Sequence, residues 1–169
     1  MIAFTRDDEV VTARFTTDER ALLSSLAHQL IELLGERAAE SPADLLYAQL
    51  GIGGQSTAPL DPALARLLPD AYRDDAEAAS EHRRFTELAL VDRKVANARA
   101  VIRLLEAYEV RLDDADVQAW LRHLTDLRLV IAARLQIEED DDVGLGDDAL
   151  LDLYDWLGYL QGTLVECIE

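Results

Sequence analysis

Two polar residues interrupt helical faces that are otherwise apolar, and they are the side chains best placed for chemistry. Arg128 lies between Leu124 and Ile131, at the three- and four-residue spacing of one face of a helix. Gln161 interrupts the apolar stripe of residues 149–168 in the same way. Because a buried polar group must find a hydrogen-bonding partner, both positions indicate an internal network or a binding site.

A carboxylate is needed near Arg128, because a guanidinium stays charged and its burial without a counter-charge is very costly. Asp126 and Asp155 are the candidates. We predict that Arg128 donates to Asp155, and that Gln161 or a backbone carbonyl completes its hydrogen bonds. These four residues would then form a structural polar network that fixes the register of two helices. A binding site in a cleft is the alternative interpretation.

A basic stretch within an acidic chain is the second candidate. The chain has 34 acidic and 16 basic residues and a formal net charge of −18. Residues 83–103 have a formal net charge of the opposite sign, +4. Their basic side chains are Arg83, Arg84, Arg93, Lys94, Arg99 and Arg103, against Glu87 and Asp92. The stretch predicts either pairing with acidic segments of the same chain or a docking surface for an acidic protein partner.

Cys167 is the single cysteine, so no disulfide can form within the chain. Its spacing from Leu160 and Leu164 is that of a buried helical face. This predicts an inert thiol packed against the first or the fifth predicted helix. A redox role is the alternative, and it would require a bond to another molecule or a reversible oxidation of the thiol.

Motifs of catalysis, cofactor binding and metal binding are missing from the sequence. The G-x-S-x-G and H-E-x-x-H patterns do not occur. The acidic run 138–148 does not match an EF-hand, because a loop that starts at Glu139 has Gly144 sixth but Leu150 twelfth. The glycine-rich residues 51–54 follow a predicted helix and not a strand, unlike a phosphate-binding turn. We therefore expect no cofactor, no metal ion and no enzymatic activity.

The net charge of −18 limits the partners that the chain can bind. A surface this negative repels nucleic-acid phosphates and anionic membranes, so we expect no direct binding to either. The first residues lack a positive segment followed by an apolar run. No stretch reaches the roughly 18 apolar residues that a membrane span requires. The sequence thus predicts a cytoplasmic protein.

Helices must position most of these side chains. Caps, prolines and apolar periodicity predict helices over Thr17–Leu34, Ser41 to about Gly51, Asp61–Leu68, Asp75–Tyr108, a fifth that begins at Asp113, and Ala149–Ile168. Gly35 is expected to end the first helix. The last helix is apolar on most sides, which predicts the central, buried position for it.

A small hairpin is predicted at the N-terminus, because Ile2–Arg6 and Val10–Phe15 are β-type runs around an acidic turn. The predicted fold class is mainly α. It is a helical bundle of about five to six helices with a small N-terminal β-hairpin, in a single domain over residues 1–169.

Three segments together resemble a known family. They are Arg66–Asp75 with Arg83–Glu87, Asp126–Val130 with Arg134-Leu135, and Tyr154–Gln161 with Thr163–Val165. In this order they are similar to an actinobacterial family of unknown function that is associated with an oxidative-stress regulator. The resemblance covers essentially the whole chain.

The resemblance implies an intracellular protein that acts on transcription of stress and cysteine-synthesis genes, through a sigma factor or RNA polymerase. It also implies a gene near that of the ClpS protease adaptor. The chain departs from the family in one respect: redox sensing by a cysteine pair is not possible within it, because Cys167 is its single cysteine.

The function predicted is therefore a non-enzymatic regulator that acts through protein-protein contacts. One alternative is an adaptor or accessory factor for regulated proteolysis, suggested by the gene neighbourhood of the family. Another is a small-molecule-binding helical domain, suggested by Arg128, Asp155 and Gln161. The oligomeric state, including a homodimer, stays open.

Overall fold

Five helices and three short strands form the part of the chain that the structure describes, residues 1–8, 10–40, 49–50, 53–138 and 144–169 of a computed structural model. In chain order they are β1 (Ile2–Asp7), β2 (Val10–Arg14), α1 (Thr17–Ala39), α2 (Pro62–Leu67), α3 (Ala76–Leu104), β3 (Val110–Leu112), α4 (Asp114–Arg134) and α5 (Asp148–Glu166). The predicted fold class, mainly helical with an N-terminal hairpin, is confirmed. The helix predicted from Ser41 lies outside the described residues, and the single domain over residues 1–169 stays a prediction.

The strands form one antiparallel sheet in the order β1-β2-β3. Val11 pairs with Arg6 on one side and with Leu112 on the other. The hairpin is confirmed, but β3 was not predicted, because three residues between two helices are too few to show an alternating pattern. Val110 and Leu112 are buried and Arg111 is exposed, so β3 still has the alternation of a half-buried strand.

Side-chain caps begin the helices where the sequence indicates. Thr16 and Glu19 form the predicted capping box of α1. The carboxylates of Asp61, Asp75 and Asp113 accept backbone N–H groups at the starts of α2, α3 and α4. These bonds satisfy donors that have no partner within the helix.

The prediction that Gly35 ends α1 is wrong, because the helix continues to Ala39. Leu34 and Arg37 are buried on that last turn, and their packing outweighs the roughly 1 kcal/mol that glycine costs a helix. Similarly, α3 ends at Leu104 and not at Tyr108, since the chain must turn before β3 begins at Val110.

The central helix is α4 and not the last helix, contrary to the prediction. Helix α4 packs against the other four described helices and against β3. Trp120, which is fully buried, contacts Phe4 edge-on at 5.2 Å and stacks on Phe15 at 5.9 Å between ring centroids. In α5 the buried residues are Leu157, Leu160 and Leu164, so this helix is amphipathic and lies at the surface. None of the described helices combines the length and the apolarity needed to cross a membrane.

A buried ion network joins α1 to α3 through Glu87. Arg37 of α1 donates from Nε to Glu87 Oε1 at 2.7 Å, and Arg83 donates from Nη1 to Glu87 Oε2 at 2.6 Å. The side chains of the three residues are at most 5% exposed. Arg83 also donates to Asp70 Oδ1 at 2.7 Å and to the carbonyl of Leu68 at 3.0 Å. Burial disfavours the Arg83 charge, but these bonds hold its pKa above the usual value.

The same network holds the segment 53–57 against α3. Arg37 donates to Gln55 Oε1 at 2.8 Å and to the carbonyl of Thr57. The backbone N–H groups of Gly53 and Gly54 donate to the carbonyl of Arg84 at 3.3 and 3.1 Å. A Cβ at Gly54 would lie 3.0 Å from the carbonyl oxygen of Arg83, so a larger residue would require a small shift between this segment and α3.

We expect Glu87→Gln to lower the free energy of unfolding by about 3–5 kcal/mol, because two buried guanidiniums would lose their shared carboxylate. Glu81→Gln is the matched control, since Glu81 is exposed on the same helix. Urea unfolding followed by circular dichroism measures both changes. Equal losses for the two variants would contradict the role of the network.

The buried side chain of His123 leads us to expect that the stability of the fold depends on pH. It is 1% exposed, and neither ring nitrogen has a partner among the described residues. Burial lowers its pKa from 6.5 to about 4, so the folded state keeps the ring neutral. Below pH 6.5 the unfolded chain binds a proton that the folded chain does not, so stability falls as the pH drops toward 4.

We expect the loss between pH 7 and 5 to be about 2 kcal/mol larger for the wild type than for His123→Leu. Replacing exposed His28 with Ala provides the control, which should keep the wild-type dependence. Urea titrations at both pH values provide the comparison. Parallel pH profiles for the wild type and His123→Leu would show that this ring does not control the effect.

Candidate functional site

A cleft separates α3 from α4 and has a volume of about 670 Å³. Each helix contributes residues at the i, i+3, i+4, i+7 spacing of one face: Leu90, Arg93, Lys94 and Asn97 from α3, and Arg122, Thr125, Asp126 and Leu129 from α4. Ala96 lies at the rim, and Arg66, Leu67 and Pro69 border the cleft from α2 and the turn after it. We call this site the α3–α4 cleft.

An ion pair lies in the α3–α4 cleft. Lys94 Nζ donates to Asp126 Oδ1 at 2.5 Å, and the Asp126 residue is 3% exposed. Burial raises the pKa of Asp126, and Lys94 opposes that shift. The second oxygen, Oδ2, is buried and has no hydrogen-bond partner in the part of the chain that the structure describes. This acceptor is therefore incompletely satisfied.

Three further guanidiniums make the cleft basic. Arg66, Arg93 and Arg122 have no hydrogen bond or ion pair from their side chains within the described ranges. Arg93 and Arg122 are exposed, and Arg66 is half-buried. Because Asp126 neutralises Lys94, the lining has a net positive charge on a chain whose total is −18. The site thus has the sign of charge that attracts anions.

The predicted docking surface over residues 83–103 is not a single surface. Arg83 is buried in the network around Glu87, and Lys94 binds Asp126. Arg103, on another side of α3, pairs with Asp116 at 3.1 Å. The helical period of 3.6 residues distributes the six basic residues around α3, so Arg93 and Lys94 are the two that line the cleft.

Arg66 and Arg122 are site residues that the sequence did not reveal. Each is a separate charge on a different helix, and no local pattern connects either of them to residues 83–103. Only the packing of α2 and α3 against α4 brings them to the same cleft.

The predicted polar network forms in part. Arg128 Nη1 donates to Gln161 Oε1 at 2.9 Å, as expected. Gln161 Nε2 in turn donates to Thr125 Oγ1 at 2.8 Å. The guanidinium lies over the ring of Tyr154, 4.6 Å from its centroid, which is a cation–π contact.

The expected pairing of Arg128 with Asp155 is wrong, and Asp126 belongs to a different pair. Tyr154, Gly158 and Gln161 share one face of α5 at the i, i+4, i+7 spacing, and all three contact or approach Arg128. Asp155 is rotated by about 100° from that face and is exposed. A half-buried Arg128 can use a neutral amide and a ring, so no carboxylate is required.

Two exposed contacts that involve aromatic rings lie at the start of α3, where His82 and Phe85 share one side of the helix at the i, i+3 spacing. The rings of Tyr72 and His82 meet edge-on at 5.8 Å, and the Arg84 guanidinium lies 5.9 Å from the centroid of Phe85. Tyr72 is 52% exposed and Phe85 is 48% exposed. We call these four residues the aromatic patch. A smaller hollow of about 240 Å³ includes His82 and shares Pro69 and Leu90 with the α3–α4 cleft.

Cys167 is partly buried and packs at the edge of the hydrophobic core. The residue caps the end of α5, and its carbonyl accepts a hydrogen bond from Arg6 of β1 at 3.0 Å. This end of α5 therefore lies beside β1. Burial raises the pKa of the Cys167 thiol, although nearby Arg6 opposes the shift, so the thiolate is disfavoured.

Within the described ranges, no group of three His, Cys, Asp or Glu residues could hold a metal ion. 

Comparison with known proteins identifies one family and several relatives that have the same name. The family described as a domain of unknown function, DUF2017, matches residues 1–168. Relatives from Mycobacterium bovis and Mycobacterium tuberculosis have the name oxidative stress regulator AosR. Each is 33% identical over 181 aligned positions, which cover 95% of this chain and 83% of the relative. A relative from Mycobacterium leprae is 35% identical over 167 positions, which cover 87% of this chain and 77% of the relative. No solved structure matches the chain.

We expect Gln161→Met to destabilise the chain by about 1–2 kcal/mol, because Arg128 Nη1 would lose its acceptor while helix propensity is nearly unchanged. Asp155→Asn should change stability by less than about 0.5 kcal/mol. Thermal unfolding of both variants decides between the two partners. A larger loss for Asp155→Asn would restore the pairing predicted from the sequence.

Proposed function

The chain belongs to the DUF2017 family, and from this relationship we propose that it is a non-enzymatic oxidative-stress regulator that acts by binding another protein. The relatives from M. bovis and M. tuberculosis are named oxidative stress regulators, which supports the regulatory part of the proposal. Their similarity extends over 95% of this chain, so it is not limited to one motif. The family resemblance further suggests a sigma factor or RNA polymerase as the partner.

The aromatic patch is the observation that carries the protein-binding part of the proposal. Tyrosine, phenylalanine and arginine are enriched at the centres of protein interfaces, where they supply large apolar contacts with few rotatable bonds. Tyr72, Arg84 and Phe85 have this composition and are exposed. Two of the ten Phe, Trp and Tyr residues of the chain, Tyr72 and Phe85, are thus about half exposed in this one region.

Charge supports the same conclusion. An acidic chain is repelled by nucleic-acid phosphates, so a regulator of this composition is better suited to act on a protein than on DNA. Arg84 supplies a positive charge beside Phe85, and Asp74, Asp75 and Glu81 are exposed acidic residues of the same segment. A partner with both apolar and charged groups would complement this surface.

The combined variant Tyr72→Ala/Phe85→Ala should lose function while it keeps its fold, because both side chains are half-exposed. Expressed in a Mycobacterium strain that lacks the relative's gene, the wild type should restore survival after peroxide treatment and the variant should not. Tyr159→Ala is the matched control, since Tyr159 is 53% exposed on α5, far along the sequence from the patch. If the wild type does not restore survival, the proposed regulatory role fails.

A photo-crosslinker tests the contact directly. With p-benzoylphenylalanine in place of Phe85, ultraviolet light should produce a covalent adduct of one defined mass in stressed cells. The same group in place of Tyr159 should produce none. Where binding can be quantified, the patch variant should weaken it by about 30-fold, the effect of losing about 2 kcal/mol at an interface centre. Equal crosslinking at both positions would contradict a specific patch.

A further inference from the structure

We propose that the α3–α4 cleft binds a small amphipathic organic anion, a molecule with an apolar body and one carboxylate or sulfonate group. This inference goes beyond the protein-binding role and does not depend on it. It concerns a different surface, and purified protein is enough to test it.

The apolar half of the cleft fits the body of such a ligand. Leu67, Pro69, Leu90 and Leu129 contribute apolar surface to the lining. The volume of about 670 Å³ falls within the range of about 300–1,000 Å³ that small-molecule sites occupy. Most small-molecule sites have this composition, a mainly apolar wall with a few convergent polar groups.

The charged half of the cleft fits the anionic group. Arg66, Arg93 and Arg122 come from three different helices or helix ends and converge on one opening. None of their guanidiniums has a partner among the described residues, although the chain has 34 acidic side chains. A guanidinium can donate two parallel hydrogen bonds to a carboxylate or sulfonate, which makes it specific as well as attractive.

A buried acceptor in the cleft is available to a donor on a ligand. Asp126 Oδ2 has no hydrogen-bond donor in the described part of the chain, although the residue is 3% exposed and lines the cleft. Buried oxygens of folded proteins are nearly always satisfied, so an unpaired one suggests a missing donor. An N–H or O–H group on the ligand would satisfy Asp126, while Lys94 holds its other oxygen.

The probe for this cleft is 8-anilinonaphthalene-1-sulfonate, which has an aromatic body, an N–H group and a sulfonate. We expect it to bind the folded wild-type chain with a stoichiometry of one and a Kd below about 1 mM. N-phenyl-1-naphthylamine, its analogue without the sulfonate, should bind at least about tenfold more weakly. Fluorescence titration at neutral pH measures both constants.

The variant Arg93→Gln/Arg122→Gln should reduce the affinity for the sulfonate by about tenfold or more and leave the neutral analogue unaffected. Arg99→Gln/Arg103→Gln removes the same charge from other faces of α3, so it should change the affinity by less than about twofold. Ala96→Trp places a bulky ring at the exposed rim, and it should block both probes. Decanoate should displace the sulfonate probe, whereas decan-1-ol should not.

Four results would overturn the proposal. The first is equal weakening by the two double-arginine variants, because the effect would then be that of overall charge. The second is binding of the sulfonate that Ala96→Trp leaves intact. The third is a dimer, seen by sedimentation, that Ala96→Trp dissociates while the wild type binds no probe, which would assign the cleft to a second copy of the chain. A protein segment would be indicated instead if an acidic peptide of leucine and glutamate bound and decanoate did not compete.

Discussion

Glu87 is the residue on which the arrangement of this molecule depends. Its carboxylate accepts hydrogen bonds from Arg37 and Arg83 in a site where all three side chains are at most 5% exposed. Removing these charges from water is costly, so they are stable there only if the pairing geometry is maintained. This requirement positions α1 relative to α3, and it holds the segment 53–57 and the turn at 68–70 against them. Because that turn includes Pro69, the network also sets one border of the α3–α4 cleft.

Helix α4 contributes residues both to the hydrophobic core and to the α3–α4 cleft. Its period of 3.6 residues separates three environments that are only a few residues apart in the sequence. Trp120 packs between the aromatic rings of Phe4 and Phe15, Arg128 faces α5, and Arg122 with Asp126 faces the cleft. A helix in the centre of the bundle can thus supply both the core and the polar groups of a binding site.

Charge segregation links the fold to the proposed function. The chain is strongly acidic, yet Arg37 and Arg83 are buried in ion pairs, and Arg66, Arg93, Lys94 and Arg122 line one cleft. The cleft and the patch are neighbours along α3, since the hollow beside His82 shares Pro69 and Leu90 with the cleft. A chain that is similar to oxidative-stress regulators therefore has two surfaces, one suited to a protein and one to a small anion.

The sequence by itself determined the local features of this protein. The N-terminal hairpin and the first turns of the helices depend on interactions between residues that are close in the chain. The N-cap residues of four helices are Thr16, Asp61, Asp75 and Asp113. The family could also be inferred from the sequence, because three segments resemble it in the same order along the chain. The family model matches residues 1–168.

Tertiary structure decided everything that depends on which faces meet. Helix α1 continues past Gly35, and Arg83 is buried beside Glu87. Helix α4 lies at the centre, and Arg128 donates a hydrogen bond to Gln161 and not to Asp155. Arg66 and Arg122 became site residues only because α2 and α3 pack against α4. The physical reason is that a helical pattern shows which residues share a face, but not which other element will cover that face.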